Sequence, residues 1–159
     1  MSKVKVVGRW IGDVGVTVPP GWWEATQIMD GVTYHRHENG GGWVAATAKV
    51  AAEAFVGVNA RVSGNARVYG QAQVCDDARV FGDAQVFGHA RVCDDAQVFG
   101  HAQVCDDAQV YGHAQVCDDA WVYGDTQVCD DARLYGHARV SGDTHVYGDT
   151  QVSGDEKKS

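Results

Sequence analysis

The chain has 159 residues and a formal charge of -8, with 13 Lys and Arg against 21 Asp and Glu. That length suits one modest domain, and the acidic balance argues against a protein that tracks nucleic-acid phosphates directly. No run of about 18 apolar residues occurs, so no membrane span is expected. The start, MSKVKVVGRW, lacks the apolar core of a secretory signal.

Residues 1–43 balance four basic against four acidic residues. They hold the short β-like stretches VKVVGRWIG, VGVTVPPGWWEATQI and GVTYHRHENGGGW, with Trp10, Trp22, Trp23 and Trp43. This composition predicts a small N-terminal β cap over 1–43. Its tryptophans serve as core, with a partner-binding patch as the alternative. His35 and His37 are of metal-ligand type, but no Cys or carboxylate set is placed around them, so no metal is assigned there.

From Val44 onward a six-residue unit runs without an insertion or deletion. Val44, Val50, Val56 and so on recur to Val152, with Leu134 the only substitute. A small residue follows four positions later, usually Ala, with Thr126, Thr144 and Thr150 as exceptions. Eighteen complete units fill residues 44–151. An α-helix cannot use this period, because six residues at about 100° each would carry Val to three sides in turn. Alternation fits a short strand instead: Arg or Gln outward, Val inward, then Tyr, Phe or Cys outward. The Gly-Asp, Gly-His or Asp-Asp pair that follows turns a corner, since Gly and Asp tolerate positive φ. The small residue fits inside the bend. Residues 44–155 carry seven Lys and Arg against sixteen Asp and Glu, so the negative charge lies in the repeats. The final residues, 156–159, read as a charged tail.

The unit V-[YFCS]-[GD]-[DHN]-A-[RQ] resembles the hexapeptide-repeat family, which implies an all-β fold: a left-handed parallel β-helix, triangular, with three units per coil. Six coils at roughly 4.8 Å each span about 29 Å. The junction HENGGGWVAATAKVAAEAFVGVNARVSGNARVYG is similar to that of short hexapeptide-repeat proteins encoded by phages and prophages, a group without an assigned activity.

With three units per coil, positions three units apart are neighbours. The Cys-Asp-Asp corners begin at Cys75, Cys93, Cys105, Cys117 and Cys129, spaced 18, 12, 12 and 12. The spacing of 12 walks the corners round the prism, as duplication of a two-unit segment would, and makes most of them structural. Only Cys75-Asp76-Asp77 and Cys93-Asp94-Asp95 stack. Asp76, Asp77, Asp94 and Asp95 are therefore a weak candidate for a cation, with zinc preferring the thiols; no metal or cofactor is assigned. Five cysteines, an odd number at regular spacing, suggest free thiols in a reducing, cytoplasmic setting. On one edge Asp83, His101, Asp119, His137 and Asp155 alternate, which places each His between two carboxylates. The competing reading is of exposed pairs worth almost nothing.

Three outward rows follow: Phe81, Phe99, Cys117 and Tyr135; Tyr69, Phe87, Cys105, Trp121 and Tyr123; and Cys75, Cys93, Tyr111, Cys129 and Tyr147. They serve either as ladders that support strand pairing or as apolar stripes for a partner. Trp121 replaces the usual Gln or Arg beside Tyr123 and is the best single interface anchor.

Three functions compete. The family's acyltransferases use extruded loops, and the eighteen units contain none, so no enzyme is expected. A self-assembling solenoid of a virion or filament is second. The favoured reading is a non-catalytic, phage-encoded binding protein. It blocks a host protein of the nucleic-acid-binding, anti-phage kind, through Trp121, Tyr123, Phe87, Tyr69, Asp76, Asp77, Asp94 and Asp95. Homo-oligomers, including end-to-end pairing through the last coil, are expected.

Overall fold

A computed structural model describes residues 26–154 and 157–158. The expectations for Trp10, Trp22 and Trp23 lie outside those residues. Two opening strands, β1 (Thr26–Met29) and β2 (Val32–Arg36), form an antiparallel hairpin. Its two-residue turn, Asp30-Gly31, has both φ angles positive, at 51° and 79°, which suits the right-handed twist of a hairpin. β2 pairs antiparallel with β3 (Trp43–Ala45), and β3 starts the parallel stack by pairing with Arg61–Val62.

Nineteen two-residue strands follow, from β4 (Lys49–Val50) to β22 (Lys157–Lys158). Each pairs in parallel with the matching strand of an adjacent coil, as Gln85–Val86 does with Gln103–Val104. The result is a β-solenoid of about six coils with three sheets of nine, seven and six strands, and no helix among the described residues. Sheet I holds Val62, Val80 and Val98, sheet II holds Val68, Val86 and Val104, and sheet III holds Val74, Val92 and Val110.

The period of six dictates this packing. Val92, Val98, Val104 and their neighbouring Ala residues are wholly buried, and each buried Val contributes roughly 1.5–3 kcal/mol of apolar transfer. The small residue lies under the bend. Where Thr stands there, its hydroxyl turns inward to the chain: Thr126 Oγ1 donates to the Tyr123 carbonyl at 2.8 Å. Between coils, backbone N–H groups donate to carbonyls of the next coil, as Phe87 does to Val104 at 3.0 Å.

The cap closes part of the first coil. His37 is buried, its Nε2 lies 2.9 Å from the Ala54 carbonyl, and Gly42 N–H donates to the Val56 carbonyl at 2.8 Å. A Cβ on Gly42 would run into Val56, which is why the loop before Trp43 is glycine. Trp43 itself is buried, with the Arg36 guanidinium 3.7 Å from its ring centroid. At the far end the repeat goes one unit further than the hydrophobic pattern shows. Lys158 occupies the position of a core Val and pairs with Val140 inside the stretch read as a charged tail.

Candidate functional site

Sheets I, II and III meet at three corners, and the charges are divided unequally among them. Corner III–I carries seven carboxylates: Asp76, Asp77, Asp94, Asp95, Asp130, Asp131 and Asp149. Corner II–III carries five, Glu53, Asp106, Asp107, Asp125 and Asp143. Among the described residues, corner I–II carries three, Asp83, Asp118 and Asp119, while sheet II bears Lys49, Arg67, Arg139 and Lys157 at its outward strand positions. The III–I edge, which carries the most carboxylates, does not border sheet II. The eight residues expected to bind a partner therefore form two groups. Trp121, Tyr123, Phe87 and Tyr69 lie on sheet II, and Asp76, Asp77, Asp94 and Asp95 lie on corner III–I.

The first aspartate of each Cys-Asp-Asp corner has a structural duty. Asp76, Asp94, Asp106, Asp118 and Asp130 have φ between 54° and 60°, a left-handed conformation that Asp adopts more readily than most residues. From there the carboxylate reaches one coil on and accepts a backbone N–H. Asp94 Oδ2 accepts from Gly112 at 2.9 Å, Asp118 from Gly136 at 3.1 Å and Asp130 from Gly148 at 3.1 Å. Asp76 is held more loosely, with the Asp94 N–H at 3.4 Å. Charge-assisted bonds of this kind are the stronger ones. Sequence reasoning missed them: Gly or Asp stands one coil after each of these aspartates, but that spacing does not say which way the carboxylate turns. The second aspartate is exposed and has no such partner among the described residues.

The cysteines divide in the same way. Cys75 and Cys93 lie side by side in sheet III, with Cα atoms 4.6 Å apart, and their sulfur atoms are bonded. This corrects the expectation of five free thiols: the spacing of 18 brings these two together, and spacing of 12 keeps Cys105, Cys117 and Cys129 on separate sheets and free. Burial, reinforced by the neighbouring Asp106 carboxylate, pushes the Cys105 thiol up to about 11. Burial also raises Cys117, with Asp118 adding to it. Both are poor thiolate sources. Cys129 stacks under Tyr111, whose phenol is raised chiefly by that neighbouring thiol and then by burial.

The outward aromatics form ladders. Tyr69 and Phe87 stack at 5.0 Å and Phe81 and Phe99 at 4.9 Å, with planes within 3° of parallel. Tyr111 donates to the Gln127 amide oxygen at 3.2 Å, so a Tyr is tied to a Gln of the next coil. Trp121 departs from this order. It is 37% exposed, its ring is tilted 57° to Tyr123 at 5.7 Å, and Arg139 lies 5.6 Å from its centroid. It borders an open groove of about 1100 Å³ along corner I–II, lined by Asp83, His101, Asp119, Trp121, His137 and Arg139 among others.

The alternating His ladder in that groove is incomplete. His137 Nδ1 lies 3.7 Å from Asp119, while His101 makes no ion-pair contact among the described residues, and Asp155 falls outside them. A second pair, His113 with Asp95 at 3.7 Å, sits on corner III–I. In both pairs the side chains are more than half exposed, so water competes with each carboxylate.

The YdcK beta-solenoid repeat family model matches residues 60–71, 72–88, 114–130 and 132–148, all within the gapless repeats. No curated protein and no solved structure matches the chain. Among the described residues, no helix is long and apolar enough to cross a membrane. By its repeats and its three stacked parallel sheets, the chain is a repeat β-solenoid protein.

Proposed function

We propose that this chain is a non-catalytic binding protein, encoded by a phage, whose acidic III–I corner docks on the basic surface of a nucleic-acid-binding host protein and blocks it. The observation that supports this most is the gathering of seven carboxylates on one edge of a rigid prism. A row of fixed negative charge steers and orients a basic partner. Trp121 and its groove, on a surface away from that corner, offer a second contact to a partner that reaches round.

The test is capture from bacterial lysate at low and high salt, with a variant that neutralises the second aspartates of that corner and Asp149 of its Tyr-Gly-Asp turn: Asp77→Asn, Asp95→Asn, Asp131→Asn and Asp149→Asn. These residues carry charge without holding the backbone of the next coil. A single basic host protein, lost at high salt and lost with the fourfold variant, is expected. Capture indifferent to both would overturn the reading.

A further inference from the structure

We propose that, once the Cys75–Cys93 bond is reduced, the two sulfurs and the Asp76 carboxylate form a binding site for a thiophilic divalent ion of the zinc type. Their ligand atoms lie within 4.8 Å of one another, a grouping of three found nowhere else among the described residues. Four features favour this position. The stacking of one coil on the next fixes both sulfurs on adjacent strands of sheet III, so the site is largely pre-formed. Asp76 is free to turn, because its hold on the Asp94 N–H, at 3.4 Å, is looser than the 2.9 Å bond that occupies Asp94. Asp77, Asp94 and Asp95 share the corner and add a negative field that draws a dication. Asp76 is exposed, so water can take the fourth tetrahedral position. Two thiolates select zinc over calcium, which takes oxygen ligands.

The chemistry balances with a dithiol as reductant. The S–S bond takes two electrons and two protons, and the dithiol leaves as its own disulfide. The ion then forms two metal–sulfur bonds and displaces the two thiol protons to water. Oxidised, the same pair is closed to the ion.

Cobalt(II) is the probe, added to the full-length reduced protein after removal of the reductant. One equivalent should give a thiolate-to-cobalt charge-transfer band. That band should be absent from the oxidised protein and disappear when zinc is added. Cys93→Ser should abolish it. Cys105→Ser, Cys117→Ser and Cys129→Ser together should leave it unchanged. Asp76→Asn should weaken binding by at least about tenfold. As a check that needs no variant, zinc should slow alkylation of Cys75 and Cys93, but not of Cys129, in the reduced wild type. No band in the reduced wild type, a band that survives Cys93→Ser, or alkylation of Cys75 and Cys93 unaffected by zinc would each overturn the proposal.

Discussion

The corners at 75–77 and 93–95 lie one above the other, whereas those at 105–107, 117–119 and 129–131 step from sheet to sheet. All five read Cys-Asp-Asp, all five put the first Asp at positive φ, and all five turn the chain in the same way. What differs is the residue one coil away. Over Cys75 stands Cys93, and the two sulfurs bond. Cys117 has no cysteine above it and donates weakly to the Leu134 carbonyl at 3.6 Å, and burial raises its thiol. In a solenoid, therefore, the reactivity of a side chain is set by its neighbour in the next coil more than by its own motif. A cysteine pair needs stacking, not only proximity along the chain.

The most damaging way to erase the difference is to open the stacked pair. The Cys75–Cys93 bond joins residues at a sequence separation of 18, and for a loop of that size chain entropy gives about 3 kcal/mol. Urea unfolding of the oxidised protein against Cys75→Ser should show a loss of that order. Thiol reactivity sharpens the contrast without changing the fold. With its thiol near 11 instead of 9, Cys105 in the folded protein should alkylate about 100-fold more slowly at pH 8 than in the urea-unfolded chain. Because the folded value is raised, this protection also favours the native state fully below pH 9. It is lost as pH climbs from 9 to 11. The slope of stability over that window should flatten in Cys105→Ala.

A new stack can also be built. Tyr111 lies between Cys93 and Cys129 in sheet III, so Tyr111→Cys should yield an oxidised bond between positions 111 and 129, visible by peptide mapping. If no bond forms there, the rule that stacking decides is wrong. The two aspartates of one corner should separate more gently. Asp118→Ala removes the acceptor for Gly136 N–H and a residue suited to its φ of 57°, a loss of about 1–2 kcal/mol. Asp119→Ala should cost less than about 0.5 kcal/mol. Smallest of all, His137→Gln should leave the melting temperature at pH 5.5 and at pH 8 nearly unchanged, since many exposed pairs contribute nothing measurable.

The sheets, the core and the stacking were legible because one inward Val and one small residue recur without interruption, and a single period then places every side chain. The aromatic rows followed from the same register. Other features were not legible, for separate reasons. The Asp-Gly hairpin at 30–31 has a recognised turn signal but sits outside the repeat that dominated the reading. The aspartate bonds between coils depend on which rotamer reaches upward, and composition does not contain that. Of the His ladder, the His137–Asp119 pair forms while His101 makes no ion pair among the described residues, because exposed side chains follow solvent more than spacing. The spacing of 18 stacks Cys75 with Cys93, but an odd number of cysteines at regular spacing points to free thiols and so hides their bond. The eight partner-binding candidates looked like one set in a linear list, and only the closed prism separates them into two surfaces.

The gapless register has a consequence for how such a molecule can vary by descent. Gaining or losing three repeat units adds or removes one coil and leaves every later residue on its own sheet. Gaining or losing two units preserves the backbone equally well, yet turns everything downstream by one sheet relative to the cap. A slip of two units would carry Trp121 off sheet II and onto another sheet, still outward and still over a buried Val. Copying errors in the gene could thus redeal which residues share a surface while the hydrophobic interior stays the same, so recognition can drift between generations without passing through an unfolded protein.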